Sequence, residues 1–171
     1  SYYDSLTELH NRNSYMGDLK NLQTERPREL GVVFMDVNGL KSINDTFGHL
    51  VGDQVLLHVV KVLKEVLRSS DFIGRIGGDE FCVFMKNILS LPYLYERLDE
   101  ILDRLVNTRI EDRQVLSASI GVCMSNHICR YDEIFQKADE AMYHAKHAGG
   151  NCYDITESVS YTHLRAHETE L

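Results

Sequence analysis

The chain has 171 residues, 43% of them hydrophobic, which is enough to bury the core of one globular domain. Its formal net charge of −8 excludes nucleic acid as the main partner, because the chain has no basic stripe to neutralise phosphates. It contains no apolar run approaching the roughly 18 residues of a membrane-spanning helix, and no signal-peptide pattern.

The periodicity of the apolar residues predicts helices and strands that interleave along the chain. Helices are expected over about 12–24, over about 52–68, and along two further apolar stripes at 94–105 and 134–145. Strands are expected near 31–37, 72–76, 80–86, 115–123 and 151–155. The apolar stripes are interpreted as core.

The first predicted strand ends at a carboxylate. The four apolar residues from Val32 to Met35 do not alternate with polar ones, which predicts a strand buried on both faces at the centre of a sheet. Asp36 follows at or near the strand end, where a carboxylate must be paired, solvated or bound to a metal. The simpler alternative is that Asp36 caps the next segment.

The most informative stretch is Gly77-Gly78-Asp79-Glu80-Phe81, which lies between two apolar runs of strand length. This pattern predicts a hairpin turned by the two glycines, with two acids at its tip. Glycines tolerate positive φ and leave room for a ligand near the backbone. Together with Asp36, the acids would form an all-oxygen site, which suits Mg²⁺ (or Mn²⁺) bound together with substrate phosphates. A solvated acidic turn is the alternative.

With these motifs the chain resembles the catalytic domain of bacterial diguanylate cyclases, the GGDEF family. The matching motifs occur in order: D-S-L-T at 4–7, N-R at 11–12, D-V-N-G-L-K-S-I-N-D-T-F-G-H-L-V-G-D at 36–53, the hairpin, S-I-G-V at 119–122 and A-D-E-A-M-Y-H-A-K at 138–146. The resemblance implies condensation of two GTP molecules into cyclic di-GMP and two pyrophosphates. It also implies an α/β (α+β) fold that is palm-like, of the ferredoxin-like or nucleotidyl-cyclase type, with helices flanking a mostly antiparallel sheet.

The resemblance also implies metal ligands and catalytic acids. The expected ligands of Mg²⁺ or Mn²⁺ are Asp36, the carbonyl of Val37, Asp79 and Glu80. Asp79 is also the family's position for a general base, but one carboxylate can hardly be both a tight ligand and a base. The base therefore stays open between Asp79, Glu80 and water.

The triphosphate is expected at the end of the first strand. The chain leads there into a short helix, so the backbone N–H groups of Gly39 and Leu40 can cradle phosphate oxygens. By resemblance, Lys41 and Lys146 bind the β- and γ-phosphates.

One position departs from the family pattern. Relatives commonly carry a lysine, two residues, a glycine and then Arg-Asn, whereas this chain has Gly150-Asn151 in the last two places. The missing arginine removes one phosphate or metal-side contact.

The guanine base is expected at Asn44 and Asp53. A carboxylate can accept from guanine N1–H and N2–H₂ together, and an Asn amide can meet O6, N3 or N2, whereas adenine lacks that donor pair. The alternative is that Asn44 caps a helix and that Asp53 is a charge at a helix N-terminus.

Arg68 and Asp71 form an R-x-x-D element with five residues between it and Gly77, the spacing of the product-inhibition site in many diguanylate cyclases. Arg can bind guanine O6 and N7 or stack on the base, and Asp can accept from N1–H and N2–H₂. An ordinary ion pair at a helix end is the alternative.

The resemblance sets expectations for partners and surroundings. Because the product has twofold symmetry, a homodimer with one GTP on each domain is expected at least transiently. The catalytic domain is expected over 1–157, in the cytoplasm, after an upstream sensory or dimerising region through which the full-length protein could be anchored to a membrane. Residues 158–171 are expected to be a disordered or non-native tail.

A degenerate domain that binds GTP or cyclic di-GMP as a receptor, without turnover, is the alternative function. A pure dimerisation module would leave the acids unexplained. The four cysteines form no C-x-x-C pair, so reduced thiols are expected rather than disulfides or zinc ligands.

Overall fold

Seven strands and four fully described helices make up the computed structural model, which describes residues 1–14, 17, 30–88, 90–114, 116–125 and 131–157. The strands are β1 (Leu30–Asn38), β2 (Phe72–Arg75), β3 (Glu80–Lys86), β4 (Arg109–Ile110), β5 (Arg113–Gln114), β6 (Ser117–Ser125) and β7 (Cys152–Glu157). The helices are α1 (Leu40–Phe47), α2 (His49–Val66), α3 (Leu91–Val106) and α4 (Tyr131–His147).

A five-stranded sheet with the order β2-β3-β1-β6-β7 forms the centre of the fold. β1 pairs antiparallel with β3 and with β6, β2 pairs antiparallel with β3, and β6 pairs parallel with β7. The sheet is therefore mixed but mostly antiparallel, and with its flanking helices it has the palm-like α+β architecture that the family resemblance implies.

The predicted strands and the three long helices are confirmed to within a few residues. α2 begins at His49, earlier than predicted, because Gly48 at φ 91° ends α1 and caps α2. The two-residue strands β4 and β5 form a small separate sheet that was not predicted, since two residues show no periodicity. Of the helix predicted over 12–24, residues 12–14 and 17 are helical; its other residues lie outside the described residues, as do Cys129 and the tail 158–171.

β1 is buried on both of its faces. Val33, Met35 and Val37 lie in the larger apolar cluster, together with residues of α2 and α3. Val32 and Phe34 lie in a second cluster with residues of α4. Because alternate residues of a strand share a face, the next two positions on the α4 face are Asp36 and Asn38. The strand thus changes from apolar to polar at one end of that face.

α4 lies directly against β6 because residue 121 has no side chain. A Cβ built on Gly121 would overlap the main-chain nitrogen of Met142 and the carbonyl oxygen of Ala138. These atoms belong to the helix backbone, so they cannot be displaced by a change of rotamer. The spacing between sheet and helix therefore depends on this glycine.

Two further expectations concern the thiols and the membrane. Cys82 and Cys152 carry free thiols; Cys82 and Cys123 are buried and Cys152 is half-buried. No helix in the part of the chain that the structure describes is both long and apolar enough to cross a membrane.

We predict that Gly121→Ala destabilises the protein by roughly 1–3 kcal/mol, the usual cost of overpacking a closely packed interface. Urea denaturation would measure this free energy of unfolding. Gly78→Ala is the matched control, because a Cβ there meets no atom within 4 Å; we expect it to change stability by less than about 0.5 kcal/mol. Equal stabilities of the two variants would contradict the prediction.

Candidate functional site

Polar side chains gather at one end of the sheet, on the face that α4 covers. In the strand register, Asp36 lies opposite Glu80 of β3 and opposite Ser119 of β6. Asn38, two residues farther along β1, lies opposite Ser117. These polar residues follow the apolar residues of the same strand face, which pack against α4. The packing of the core therefore fixes where the polar side chains lie.

Asp36 is the most deeply buried acid of the cluster, with only 7% of its side chain exposed. Its Oδ2 accepts a hydrogen bond of 2.6 Å from Nζ of Lys146, near the C-terminal end of α4. This hydrogen bond, followed by the charge of Asp36, raises the pKa of Lys146. The other carboxylate oxygen, Oδ1, is buried without a hydrogen-bond partner among the described residues. A buried acceptor without a donor is costly, so this oxygen is available to a donor or a cation.

Asp79 and Glu80 add two more carboxyl groups from the hairpin. Burial, followed by the negative charge of Asp36, raises the pKa of both, and Asp79 further raises that of Glu80. The charge of Lys146 offsets these effects in part. Three acids therefore share one ammonium group, which favours binding of an additional cation.

The same acids are not arranged as a complete protein cage for a metal. Across the described ranges, no three His, Cys, Asp or Glu side chains are positioned together to hold an ion. The orphaned Oδ1 of Asp36 nevertheless fits a cation, and Mg²⁺ commonly takes only one or two carboxylates and completes its shell with water and phosphate oxygens.

The hairpin tip does not use the glycines as the sequence predicted. Gly77 and Gly78 both lie outside the left-handed region, so positive φ is not the reason for glycine here. A Cβ on Gly78 would meet nothing within 4 Å, and the three atoms nearest to one on Gly77 would all belong to Glu80, the first at 3.4 Å. The second expected reason remains: without side chains, the tip is open to a ligand.

Arg75 holds the tip of the hairpin by hydrogen bonds to its backbone. Its Nε donates to the carbonyl of Gly77 at 3.1 Å, and its Nη2 donates to the carbonyl of Gly78 at 2.8 Å. Its Nη1 donates to Oδ2 of Asp4 at 3.0 Å. Asp4 also accepts from the backbone N–H and the hydroxyl of Thr7. Burial alone would raise the pKa of Asp4, but these hydrogen bonds from Thr7 and Arg75 lower it below its ordinary value.

The N-terminal segment also covers the outer edge of the sheet. His10 forms an isolated parallel bridge with Gly74 of β2, and its carbonyl accepts from the N–H of Arg75 at 2.8 Å. The His10 ring stacks on Phe72 with centroids 4.2 Å apart. The D-S-L-T motif and His10 are thus part of the support of the hairpin, a role that sequence reasoning did not assign to them.

The predicted phosphate-binding backbone lies at the start of α1. Gly39 adopts φ 87° at the N-cap, and no side chain caps this end of the helix. The side chain of Leu40 is buried, so only its backbone N–H can face a ligand. Lys41 is exposed. The geometry leaves the first N–H groups of α1 without a side-chain acceptor.

The two residues predicted to bind guanine lie on the packed pair of helices α1 and α2. Asn44 and Asp53 are both half-buried. Neither side chain has a hydrogen bond to another residue that the structure describes, so both are available to a ligand. Asn44 is not the helix cap of the simpler alternative, because the N-caps of α1 and α2 are Gly39 and Gly48, and Asp53 lies beyond the first turn of α2.

Position 150 explains the local departure from the family pattern in structural terms. Gly149, Gly150 and Asn151 all have positive φ, of 113°, 70° and 50°. A Cβ on Gly150 would lie 3.2 Å from Nδ2 of Asn38, which itself donates to the hydroxyls of Ser117 and Ser119. An arginine would therefore strain this turn as it is built here.

Arg68 and Asp71 lie beyond the far end of α2, about 20 Å from Asp53 at 1.5 Å per residue. The Asp71 side chain is fully buried and accepts from the backbone N–H and from Nη2 of Arg68, both at 2.8 Å. The Arg68 side chain is 31% exposed. Its guanidinium lies 5.5 Å from the ring centroid of Tyr93, with Arg97 5.7 Å from the same centroid. Sequence reasoning missed Tyr93 and Arg97, because α3 is distant in sequence.

Comparison with known sequences agrees with this geometry. The chain matches the family "Diguanylate cyclase, GGDEF domain" over residues 1–152. It is 33% identical over 159 residues to diguanylate cyclase DgcS of Shewanella oneidensis, covering 90% of this chain and 52% of that protein. It is 36% identical over 162 residues to the probable diguanylate cyclase DgcC of Escherichia coli, covering 89% of this chain and 42% of that protein. The chain thus spans about half the length of these curated relatives, or less.

Solved structures share the fold. The coiled coil and GGDEF domain of DgcB from Caulobacter crescentus, in complex with c-di-GMP, matches with a TM-score of 0.81 and 25% identity, over 92% of this chain and 85% of that chain. A microbial GGDEF domain studied for its interaction with cyclic di-GMP matches with a TM-score of 0.77 and 31% identity, over 92% and 99%. By its motifs, its fold and these matches, the chain belongs to the GGDEF-domain family of diguanylate cyclases.

Proposed function

We propose that this domain condenses two molecules of GTP into cyclic di-GMP and two pyrophosphates. The observation that carries the proposal is the cluster at the polar end of the sheet, where Asp36, Asp79 and Glu80 share the ammonium group of Lys146. An acid cluster of this kind costs stability, and a bound cation would offset that cost. Several relatives with the same domain are diguanylate cyclases by name, which supports the same activity.

The chain's donor set fits Mg²⁺ or Mn²⁺. Asp36 and the carbonyl of Val37 would hold the ion, with Asp79 and Glu80 drawn toward it from the hairpin, and the orphaned Oδ1 of Asp36 is the clearest acceptor for it. The N–H of Val37 donates to the carbonyl of Asp79 at 2.9 Å, which ties β1 to the hairpin tip. When bound, the ion would neutralise charge that develops on the α-phosphate and on the leaving pyrophosphate.

The chain's own groups orient the triphosphate. The backbone N–H groups at the start of α1, at Gly39 and Leu40, would donate hydrogen bonds to the phosphate oxygens, with Lys41 and Lys146 on the β- and γ-phosphates. The 3′-hydroxyl of one GTP then attacks the α-phosphorus of the other, and pyrophosphate leaves. Asn44 and Asp53 would bind the guanine edge by its O6, N1–H and N2–H₂.

The general base is open between Asp79, Glu80 and water. A raised pKa makes a carboxylate a stronger base, and both hairpin acids have a raised pKa.

Two domains must face each other to close the twofold-symmetric product, so the proposed working form is a homodimer. Its input would come from a region beyond this domain, as the longer relatives suggest.

A receptor that binds GTP or cyclic di-GMP without turnover is the second candidate. The specific observation that favours it is Gly150, where the family's arginine is absent and the backbone φ of 70° disfavours any side chain. The intact acids favour turnover. Incubation of the purified domain with GTP and Mg²⁺, followed by detection of cyclic di-GMP, distinguishes the two.

Product feedback is also proposed, at Arg68 and Asp71. The exposed part of the Arg68 guanidinium, beside Tyr93 and Arg97, would stack on or hydrogen-bond a guanine base. Because the Asp71 carboxylate is fully buried, it can orient Arg68 as it stands, but it would have to become exposed to accept from guanine.

We predict that Asp79→Asn lowers the rate of cyclic di-GMP synthesis by at least about 100-fold, because charge that develops in the transition state loses its counter-ion. The initial rate with GTP and Mg²⁺ would be measured by chromatography of the product. Asp112→Asn, an exposed carboxylate in the turn between β4 and β5, is the control and should retain its rate. A folded Asp79→Asn protein of near wild-type rate would refute the assignment.

In the absence of metal, we predict that Asp79→Asn stabilises the folded protein. Because the folded protein raises the pKa of Asp79, it binds more protons than the unfolded chain above the ordinary value of 3.8, and stability falls as pH rises through the raised pKa. Asp79→Asn removes this loss. In EDTA, the melting temperature of the variant should therefore exceed that of the wild type at pH 7, and the difference should shrink toward pH 4. A lower melting temperature at pH 7 would contradict the proposed repulsion.

For feedback, we predict that added cyclic di-GMP inhibits synthesis non-competitively with GTP, and that Arg68→Ala relieves the inhibition while synthesis persists. Inhibition curves at several GTP concentrations measure both. Arg104→Ala is a matched control, since Arg104 is 33% exposed and also pairs with an acid, Glu65. Identical curves for wild type and Arg68→Ala would mean that the Arg68–Asp71 pair is only structural.

A further inference from the structure

The side chain of Asn44 lies where the side chain of residue 52 would begin. A Cβ built on Gly52 would overlap Oδ1 of Asn44 and would lie 2.9 Å from its Cγ and 3.5 Å from its Nδ2. Asn44 belongs to the last turns of α1, and Gly52 to the first turn of α2. The amide group therefore rests on the bare Cα of Gly52, at the point where the two helices meet.

The connection between the helices brings these two residues together. Gly48 has φ 91°, its N–H donates to the carbonyl of Asn44 at 2.9 Å, and its own carbonyl accepts from the N–H of Gly52 at 3.2 Å. The turn is short and hydrogen-bonded, so the separation of Asn44 from Gly52 is set by the backbone. The size of the side chain at position 52 therefore determines whether the Asn44 side chain can occupy the space between the two residues.

The usual reason for a glycine, a positive φ, does not apply at position 52, and its helical setting disfavours glycine. Its φ is not positive, so any residue could adopt this backbone conformation. Glycine is also the poorest helix former after proline, and Gly52 lies inside an 18-residue helix. Within the described part of the chain, the Asn44 amide has no hydrogen bond that would hold it in place. Space is thus the remaining reason for glycine here, and the space is taken by Asn44.

We infer that Gly52 is a specificity-determining position. Because Gly52 has no side chain, the Asn44 amide can lie beside Asp53 and hydrogen-bond to a purine that carries an oxygen at C6. This inference rests on the proposed binding of guanine by Asn44 and Asp53. A methyl group at position 52 turns Asn44 away and leaves the carboxylate of Asp53 to read the base alone. Gly52 acts through Asn44 and touches no substrate itself, so it is a positioning residue.

The experiment compares Gly52→Ala, Asn44→Ala and the double variant, with Gln54→Ala, an exposed position on α2, as the control. The probes are the α,β-methylene analogues of GTP and ATP with Mg²⁺, which bind without turnover and are followed by calorimetry. Gly52→Ala should weaken binding of the GTP analogue roughly three- to tenfold, the worth of one neutral hydrogen bond. Asn44→Ala should weaken it equally, and the double variant no further. The ATP analogue and Gln54→Ala should show no change.

Melting temperatures without nucleotide supply the second readout. Alanine is the better helix former, so Gly52→Ala should raise the melting temperature in the Asn44→Ala background, where no amide competes for the space. A loss of stability in Gly52→Ala that persists in the double variant would mean that Gly52 serves helix packing, and would overturn the inference.

The binding results separate this inference from the proposed function. If the wild type discriminates between the two analogues and Gly52→Ala does so equally well, the inference is wrong and the guanine pocket stands. If the two single substitutions add in the double variant, Gly52 does not act through Asn44, and the inference is wrong as well. A wild type that binds both analogues alike would remove the proposed guanine pocket and this inference together.

Discussion

The close contact between α4 and β6 is the constraint on which the site depends. Because Gly121 has no side chain, the helix backbone rests on the strand, and the same helix carries Lys146 to the carboxylate of Asp36. A wider gap would leave a deeply buried carboxylate without its only cationic partner among the described residues. Packing and electrostatics are therefore set by one feature, the absence of a single side chain.

The site contains buried and mutually repelling polar groups, unlike the apolar core beside it. β1 buries apolar side chains on both faces along most of its length, and the same row ends in an acid with one unsatisfied oxygen. Two hairpin carboxyl groups add burial and repulsion, which raise their pKa values. Buried polar groups that lack partners or repel one another are typical of sites where a ligand supplies the missing interactions. The extensive core around β1 offsets their cost.

The sequence was most informative where a pattern repeats or a motif is contiguous. The non-alternating run before Asp36 predicted the central strand, and the G-G-D-E-F stretch predicted the hairpin and the meeting of its acids with Asp36. Contacts between distant segments could not be predicted, because no local period encodes them: the pairing of Arg75 with Asp4 spans 71 positions. Glycines were also misread. Gly77 and Gly78 do not need positive φ, whereas Gly52 and Gly121, which are needed for space, look like ordinary interior residues in the sequence.

The N-terminal segment that supports the hairpin also affects which backbone groups of the sheet edge are exposed to other chains. β2 is only four residues long and lies at the edge of the sheet, and His10 covers part of that edge by its bridge to Gly74. An uncovered edge strand is a template for pairing with another chain. Because the bridge from His10 covers part of this edge, shortening the segment would leave more unpaired backbone on β2 as well as a hairpin with less support.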